Sequence, residues 1–451
     1  MRSKNIDMLS GSVTKSLLSL TAPIMIMNVM QTMFSVIDMT VLGNLVNDSA
    51  VGAVGACGTL ITLCTGLFIG SSVGANVIVA RHIGAGDRQR TKQAIGTSLA
   101  FSLVGGLLLL MIGVSCAEIF LRLTNCPESM LQDAVTYFRI YFLGAPIALL
   151  YNFSAAILRA AGDTKRPMYF LLIGGMLKVL LNIFCITVLK LTVAGVAIAT
   201  IASNAVAGGL CIYTIFTNKD KLSVKLRDIK IHFTELWKIL YIGIPTGLQQ
   251  ALYSFANVII TTTVNGFGPD ATTGVAIANQ FDGILYQIAV APSLAVTPYV
   301  SQNIGAGNLK RVKEAIRKGI MITVMFGVTF GSLSAIFSGQ LSSIMSDSPE
   351  VIRFSQQKMM LISSTYFICG INELMGGTLK GLGKPIIPAI TTLIFMCAIR
   401  FVWVYLVFPL FPNLTFLYLI WPIGWILSIC TLLVAFLRAM KKRTCEINNR
   451  I

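Results

Sequence analysis

The second half of this chain repeats the first at a nearly fixed distance. The segment Ile83–Gly86 recurs as Ile304–Gly307, 221 residues further along. A shift of 222 residues aligns Pro23 with Pro245. At the shorter distance further identities follow, among them Arg90 with Arg311, Lys92 with Lys313, Leu158 with Leu379, and Gly162 with Gly383. A repeat of this length predicts two lobes of similar fold.

The composition is typical of a membrane protein. Of the 451 residues, 55% are hydrophobic and only 12% are charged, which is too apolar for a soluble globule of this size. Twelve apolar stretches are each long enough to cross about 30 Å of hydrocarbon as a helix. They lie near 16–41, 51–80, 94–119, 136–160, 167–189, 192–216, 237–265, 275–300, 317–340, 357–380, 386–409 and 415–438. The sequence therefore predicts an all-α integral membrane protein with twelve transmembrane helices in two pseudo-symmetric six-helix bundles.

The basic residues orient the predicted spans. Clusters of Lys and Arg precede span 1, follow spans 2, 4, 8 and 10, fill the stretch 217–236 and close the chain. All of these clusters fall on one side of the membrane if there are twelve spans, so the positive-inside rule places both termini in the cytoplasm. We expect a multi-pass protein of the inner (plasma) membrane, with lobes 1–216 and 237–451 joined by a cytoplasmic linker, 217–236.

Several other classes of protein are disfavoured. The net charge of +17 is concentrated in the short loops, so it does not predict nucleic-acid binding. Ten cysteines without a CxxC pair and only two histidines predict no metal site. The chain has no Walker sequence, dinucleotide fingerprint or Ser-His-Asp set, so neither an enzyme nor a cofactor is expected.

Five charged side chains are predicted inside the spans, and they carry most of the functional information. An ionisable group there costs several kcal/mol unless it meets water or a partner. The five are Asp38, Asp282, Glu373, Lys178 and Arg400. Three acids against two bases favour a positively charged ligand.

Asp38 is the first candidate for ion coupling. It lies far from either end of span 1, where a carboxylate can take up a proton or a sodium ion and so couple a gradient to a conformational change. Polar residues that could be its neighbours are Asn28, Gln31, Asn182 and Thr187. The alternative is a structural role for Asp38, as an ion pair or a helix cap.

The two acids of the second half break the symmetry of the repeat. Asp282 aligns with Ile61, and Glu373 aligns with Asn152. If only packing mattered, the residue found in one half would also suit the matching position of the other half, so these differences point to function. We therefore expect both acids to take part in cation coupling. The alternative pairs them with the two bases of the span interiors as buried salt bridges.

Proline and glycine residues mark places where spans bend or pack closely. Pro23 and Pro245 each remove a backbone hydrogen bond near the start of a span, and bending there could move the carboxylate of span 1. A static kink is the alternative. The glycine ladder Gly66, Gly70 and Gly74 in span 2 predicts close packing of another helix.

The combined pattern resembles the multidrug and toxic compound extrusion (MATE) family over essentially the whole chain. The resemblance rests on Pro23, Asp38 and Gly43 in span 1, on Val300–Gly307 after span 8, and on the paired segments Leu158–Asp163 and Leu379–Lys384. It implies a V-shaped pair of six-helix bundles. It also implies alternating access driven by proton or sodium entry, with export of amphipathic, often cationic, compounds.

The resemblance also implies roles for single residues. The family's span-1 acid matches Asp38, and the polar residue of its span-5 motif matches Asn182. Many members carry a second acid four residues later, where this chain has Ile186. By that pattern the cation site of the first lobe is incomplete, and coupling can shift toward the acids of the second lobe. Gln249 and Asn257 are similar to family positions that line the second lobe.

Together these observations predict a secondary antiporter, coupled to H+ or Na+, that exports small amphipathic and cationic organic compounds (multidrug efflux). Its expected partners are small-molecule substrates and the lipid bilayer, and we expect a monomer because a two-lobe transporter can work as one. Met and aromatic side chains offer adaptable contacts in such a cavity. The candidates for the cavity lining are Gln31, Met33, Phe34, Gln249, Tyr253, Asn257, Phe281 and Tyr286.

Two other functions compete with this prediction. A lipid-linked oligosaccharide flippase of the same superfamily would line its cavity with several cations to meet a pyrophosphate. A membrane receptor or scaffold without transport would need no titratable groups inside its spans. Three acids inside the spans argue against both.

Overall fold

The computed structural model describes residues 6–124, 126–218, 222 and 224–448. Within these ranges every regular element is a helix. Some of the basic residues used to orient the chain, Arg2, Lys4, Lys219 and Lys221, lie outside the described residues, and so do positions 220 and 223 of the predicted linker.

The helices follow one another with short connections. Those of the first half are α1 (Val13–Leu45), α2 (Asp48–Gly84), α3 (Arg88–Leu123), α4 (Glu128–Leu143), α5 (Ala145–Ala160), α6 (Lys165–Thr187) and α7 (Val193–Thr217). Those of the second half are α8 (Phe233–Asn265), α9 (Pro269–Gly305), α10 (Leu309–Ile336), α11 (Ser338–Ser343), α12 (Pro349–Ser364), α13 (Tyr366–Gly381), α14 (Ile386–Thr392), α15 (Ile399–Val402), α16 (Leu414–Tyr418) and α17 (Ile420–Asn448).

Each predicted span coincides with one helix or with consecutive helices in the same order. Among the described residues, nine helical segments are long and apolar enough to cross a membrane, and α4 with α5 makes a tenth. The two remaining predicted spans are α8 and the pair α12–α13. Both carry polar side chains along their length, and these lower the mean hydropathy of the two segments.

Several predicted spans are interrupted helices, and spans 4 and 11 are examples. In span 4, α4 and α5 are bent by 50° at Gly144, and Pro146 lies in the first turn of α5, where its missing N–H is tolerated. In span 11, π-helical stretches at Leu393–Ala398 and Trp403–Val407 flank the short α15. An apolar run predicts the length of a span but neither of these irregularities.

The repeated Gly-Ala-Gly motif forms the same tight turn in both halves. Gly86 and Gly307 each have φ of 71°, a left-handed conformation that favours glycine. The N–H of the following residue donates to a carbonyl five residues back, at 3.1 and 2.8 Å. The second repeated pair, Gly162 and Gly383, has φ of 87° and 81°. The repeat therefore preserves backbone geometry, which explains why these glycines recur.

Contacts divide the chain into two compact units. Within the described residues, the first unit holds 6–7 and 29–247, and the second holds 8–28 and 248–448. Each unit has its own apolar core, around Phe138 and Phe142 in the first and around Tyr418 and Trp425 in the second. The predicted division at 217–236 follows the repeat rather than these contacts and stays a prediction.

Within the first unit, the glycine ladder of α2 packs against the beginning of α8. A methyl group on Gly70 or Gly74 would overlap backbone atoms of α8. A methyl group on Gly66 would lie 3.9 Å from the carbonyl oxygen of Gly247, an ordinary contact. The predicted close packing is therefore confirmed for Gly70 and Gly74, and its partner is the start of α8.

The segment just before α8 is also bound to the first unit. The Thr97 hydroxyl donates to the backbone carbonyl of Lys230 at 3.2 Å and accepts from the N–H of His232 at 3.0 Å. These bonds fix the point at which the chain enters α8.

Glu235, in the first turn of α8 and outside the predicted span 237–265, anchors this junction. Its carboxylate accepts hydrogen bonds from His82 Nε2 at 2.9 Å and from Lys238 Nζ at 2.7 Å. Burial alone would raise the pKa of Glu235, but the hydrogen bonds and positive charge of His82 and Lys238 outweigh it and lower the pKa to about 2.

Candidate functional site

A cluster of buried polar groups surrounds Asp38 of α1 in the first unit. Asp38 Oδ2 accepts a hydrogen bond from Lys178 Nζ at 2.5 Å, and Oδ1 accepts one from Asn182 Nδ2 at 2.6 Å. Asp38 is 8% exposed and Asn182 is fully buried. The structure brings Asp38 and Asn182 together, as predicted, and it also contains the ion pair that was the structural alternative.

Helical spacing aligns these groups on facing sides of α1 and α6. Phe34 lies one turn before Asp38, and Lys178 lies one turn before Asn182. The Phe34 ring packs on Gly175, where a methyl group would overlap the ring. The absent side chain of Gly175 lets the two helices approach, and this proximity makes the direct ion pair possible.

The cluster offers oxygen atoms that a cation can use. Asn182 Oδ1 has no hydrogen-bond partner among the described residues. Buried acceptors without a partner are uncommon, and such an atom is well suited to water or an ion. Ile186, at the position of the family's second acid, is buried in the apolar core of this unit. The countercharge to Asp38 therefore comes from Lys178, one turn on the other side of Asn182.

A second cluster surrounds Asp282 of α9 in the second unit. Lys358 Nζ lies 2.9 Å from Asp282 Oδ2 and also donates to Asn279 Oδ1. The Tyr366 hydroxyl donates to the backbone carbonyl of Asp282 at 3.1 Å. Each unit thus contains a carboxylate, a lysine and an amide in direct contact, although the two sets occupy different positions of the repeat.

Sequence reasoning missed Lys358 as a buried base. It is the second residue of the predicted span 357–380, where a lysine normally reaches the membrane edge. In the structure α12 begins at Pro349, and Lys358 is 3% exposed. With Lys358 included, the span interiors hold three acids and three bases, so the imbalance that favoured a cationic ligand is removed.

Glu373 of α13 is the one buried acid without an ion-pair partner among the described residues. Its Oε1 accepts a hydrogen bond from the Tyr253 hydroxyl at 3.3 Å, and it is 8% exposed. The alternative that paired the acids of the second half with Lys178 or Arg400 is wrong. Lys178 binds the acid of α1, and the acid of α9 binds a lysine that the prediction did not include.

Arg400 of α15 is a fully buried side chain, 1% exposed. Its Nη1 donates to Asn257 Oδ1 at 2.7 Å, and its guanidinium lies 5.1 Å from the centre of the Trp421 ring. Lys358 Nζ lies 5.9 Å from the same ring. Two cations therefore share one indole in the second unit, which is a favourable partner for each of them.

The predicted cavity residues of span 1 differ in exposure. Gln31 and Met33 are exposed, and Met33 keeps 45% of its surface. Phe34 is buried against Gly175, so it packs between helices rather than on a surface. The Thr187 hydroxyl donates to a backbone carbonyl of its own helix at 2.7 Å.

The predicted cavity residues of the second unit range from buried to exposed, and Asn257 is the exposed one. Gln249 is buried, and its Nε2 donates to Thr392 Oγ1 at 2.9 Å. Phe281 and Tyr286 are half-buried on α9, as is Tyr253 on α8.

Pro23 and Pro245 lie inside continuous helices, α1 and α8. The boundary between the compact units falls shortly after each of them, between Asn28 and Val29 in α1 and between Gly247 and Leu248 in α8. Their predicted role in bending stays a prediction.

Comparison with known proteins places the chain among transporters. The MatE family matches residues 23–184 and 245–406, once in each half. The probable multidrug resistance protein YoeA of Bacillus subtilis (strain 168) is 26% identical over 391 residues, covering 85% of this chain and 84% of YoeA. The multidrug export protein MepA of Staphylococcus aureus (strain NCTC 8325 / PS 47) is 24% identical over 382 residues, covering 82% of each chain.

A solved structure shares the fold. The outward-facing conformation of a multidrug resistance MATE family transporter superposes with a TM-score of 0.89 at 21% identity, covering 98% of this chain and 100% of that one. The predicted all-α, twelve-helix membrane fold is therefore confirmed.

Proposed function

This chain belongs to the MatE family of membrane transporters, and from that premise we propose that it is a cation-coupled antiporter that exports small amphipathic organic compounds by alternating access. It is a multi-pass membrane protein and a transporter, not an enzyme. The coupling ion is H+ or Na+, and no other cofactor takes part.

The observation that carries the proposal is the buried ion pair of Asp38 with Lys178. Two charges inside transmembrane helices cost several kcal/mol to remove from water, and packing alone would be met by apolar residues of similar size. A function that uses the charge accounts for its presence.

The cluster can exchange one positive partner for another. A proton or a sodium ion that reaches Asp38 replaces the ammonium of Lys178 as its countercharge, and Asn182 Oδ1 supplies a further oxygen. Displacement of the lysine breaks the ion pair that joins α6 to α1. A ligand that binds one of two such arrangements more tightly shifts the protein toward it, which is the energetic requirement of coupling.

Asp282 and Glu373 support a second coupling site in the second unit. Asp282 has its own lysine, as Asp38 does. Among the described residues Glu373 has no ion-pair partner, and it accepts a hydrogen bond from the Tyr253 hydroxyl, so it can take up a proton without first releasing a paired cation. We assign both acids to coupling together with Asp38 and Asn182.

The test is transport in liposomes with a fluorescent amphipathic dye. Purified wild-type protein receives an imposed proton gradient and, separately, a sodium gradient. Asp38→Asn is compared with Asp270→Asn, which removes an exposed acid from the first turn of α9. We expect one gradient to drive transport, Asp38→Asn to abolish it and Asp270→Asn to retain it.

Full activity of Asp38→Asn would remove Asp38 from the mechanism. No transport under either gradient, with folded protein, would favour the flippase alternative and a lipid-linked substrate.

We further propose that both termini are cytoplasmic and that the protein works as a monomer. The basic residues described in the last turn of α2, at the starts of α3 and α10 and in the second half of α17 support this orientation. Reporter fusions at each terminus and the mass of the detergent-solubilised protein test the two statements.

A further inference from the structure

Arg400 lacks the counterion that a buried guanidinium normally has. It lies within the membrane-spanning stretch Ile386–Leu410 and is 1% exposed. Its contacts are neutral, the amide of Asn257 at 2.7 Å and the ring of Trp421 at 5.1 Å. Among the described residues, no carboxylate oxygen lies within 4.0 Å of it. An uncompensated charge inside transmembrane helices is costly and points to a ligand.

The charged groups that meet at Trp421 sum to one positive charge. Lys358 is balanced by Asp282, 2.9 Å away. Arg400 has no such partner, because no carboxylate oxygen of the described residues lies within 4.0 Å of it. Glu373, the other acid inside the spans of this unit, accepts a hydrogen bond from Tyr253. The immediate surroundings of Trp421 are therefore positively charged, and an anionic group placed there would be attracted.

A polar stripe of α8 connects Arg400 to the exposed surface of its unit. Gln250, Ser254, Asn257 and Thr261 follow one another at helical spacing on one face. Gln250 and Asn257 are exposed residues, and exposed polar residues within a transmembrane helix need water or a partner rather than lipid. Since Arg400 donates to Asn257, its guanidinium lies directly behind this face.

The irregular backbone of span 11 directs its side chains toward α8. Arg400 lies in α15 between two π-helical stretches, and π-helical turns occur frequently at functional sites. One turn earlier, Cys397 Sγ donates to the backbone carbonyl of Leu252 in α8 at 3.3 Å. Both residues therefore reach the helix that carries the polar stripe.

We propose that Arg400 is the anion-binding residue of a substrate subsite in the second unit, which takes an organic compound carrying a carboxylate or a phosphate. The anionic group of the compound supplies the missing countercharge and accepts charge-assisted hydrogen bonds from the guanidinium. An amphipathic organic anion or zwitterion meets this requirement. The inference rests on the proposed export function for its biological meaning, but binding itself requires no ion gradient.

The test uses a matched pair of dyes, a rhodamine with a free carboxylate and the methyl ester of the same rhodamine. Equilibrium binding to the purified full-length protein is followed by fluorescence anisotropy without a gradient. We expect wild type to bind the free acid about tenfold or more tightly than the ester, the gain typical of a charge-assisted hydrogen bond.

Three variants separate charge from structure. Arg400→Gln should lower affinity for the acid to that for the ester and leave the ester unchanged, whereas Arg400→Lys should keep part of the preference. Arg353→Gln, which removes an exposed guanidinium from α12, should behave as wild type. If Arg400→Gln does not fold, competition on wild type by benzoate against benzamide gives the same comparison.

Several results would overturn the proposal. They are equal wild-type affinity for the two dyes, tighter binding of the ester, an equal loss for both dyes in Arg400→Gln, or no binding of either dye. Gradient-driven transport of both dyes at equal rates would contradict the anion subsite and leave the export function intact. Selective binding of the acid without transport would leave the subsite intact and count against export.

Discussion

At the scale of single residues, the protein stabilises buried acids with lysines. Asp38 and Asp282 each have a lysine within 2.9 Å and a side-chain amide in contact with the pair. A buried pair of this kind contributes little net stability by itself, but removing one partner leaves an uncompensated charge and costs about 3–5 kcal/mol. The two residues of a pair should therefore behave as one energetic unit.

A double-mutant cycle on Asp38 and Lys178 tests this coupling. We expect Asp38→Asn and Lys178→Met each to lower the melting temperature in detergent, because each strands the other charge or leaves it poorly paired. The double variant should be more stable than the sum of the two losses predicts, by about 1–3 kcal/mol. Simple additivity would mean that the two side chains do not interact energetically.

Glu235 predicts a pH dependence of stability. Its folded pKa of about 2 lies below its ordinary value of 4.5, so its contribution is present above pH 4.5 and is lost as the pH falls toward 2. At most it contributes about 3 kcal/mol at neutral pH, from 1.36 kcal/mol per pKa unit.

Thermal unfolding of wild type and Glu235→Gln across this range checks the dependence. We expect Glu235→Gln to be clearly less stable than wild type at pH 7, and the gap to narrow between pH 4.5 and 2. A gap that stays constant through this window would exclude the carboxylate as the origin of the difference.

The sequence predicted single functional residues where a charged side chain stands out in an apolar run. A carboxylate such as Asp38 in an apolar run is visible without any structure, and its contact with Asn182 followed from the family pattern. Which lysine meets which acid was not predictable. Lys358 and Asp282 are 76 residues apart in sequence, and only the packing of α12 on α9 joins them.

At the scale of helices, close packing of α2 on α8 depends on absent side chains. We expect Gly74→Ala to destabilise the protein by about 1–3 kcal/mol, because the added methyl group would overlap the backbone of α8. Gly58 lies on the same helix, and a methyl group there meets nothing within 4 Å. Gly58→Ala should therefore leave the melting temperature unchanged or raise it slightly, since alanine favours helix.

A loss of stability in Gly58→Ala equal to that in Gly74→Ala would show that overlap with α8 is not the cause.

Helices themselves were predictable, but their interruptions were not. Twelve mostly apolar runs of sufficient length predicted the order and number of spans, because crossing the hydrocarbon requires about 20 mostly apolar residues. The bend at Gly144 and the π-helical turns around Arg400 arise from packing and hydrogen bonding between elements. An apolar run has the same composition whether it is straight or broken.

At the scale of the whole molecule, compactness does not follow the sequence repeat. The first compact unit includes residues 229–247. This stretch packs against the glycines of α2, and its Glu235 binds His82. We therefore expect a fragment of residues 1–247 to remain monodisperse after purification in detergent, and a fragment of residues 1–216 to aggregate. Size-exclusion chromatography of the two fragments tests this expectation. If the fragment 1–216 were as monodisperse as the fragment 1–247, residues 229–247 would not be needed for the first compact unit.

The pairing of Asp38 with Lys178 makes the unloaded site electrically neutral. Moving one elementary charge through 100 mV is worth about 2.3 kcal/mol, so a neutral site reorients almost independently of membrane voltage. Binding of a proton or a sodium ion at Asp38 adds one net positive charge, and only that half of the cycle then feels the field. We expect a membrane potential to accelerate the conformational change of the ion-loaded protein and to leave the rate of the ion-free return step unchanged. The membrane potential would then set the direction of the cycle without slowing the return of the unloaded protein.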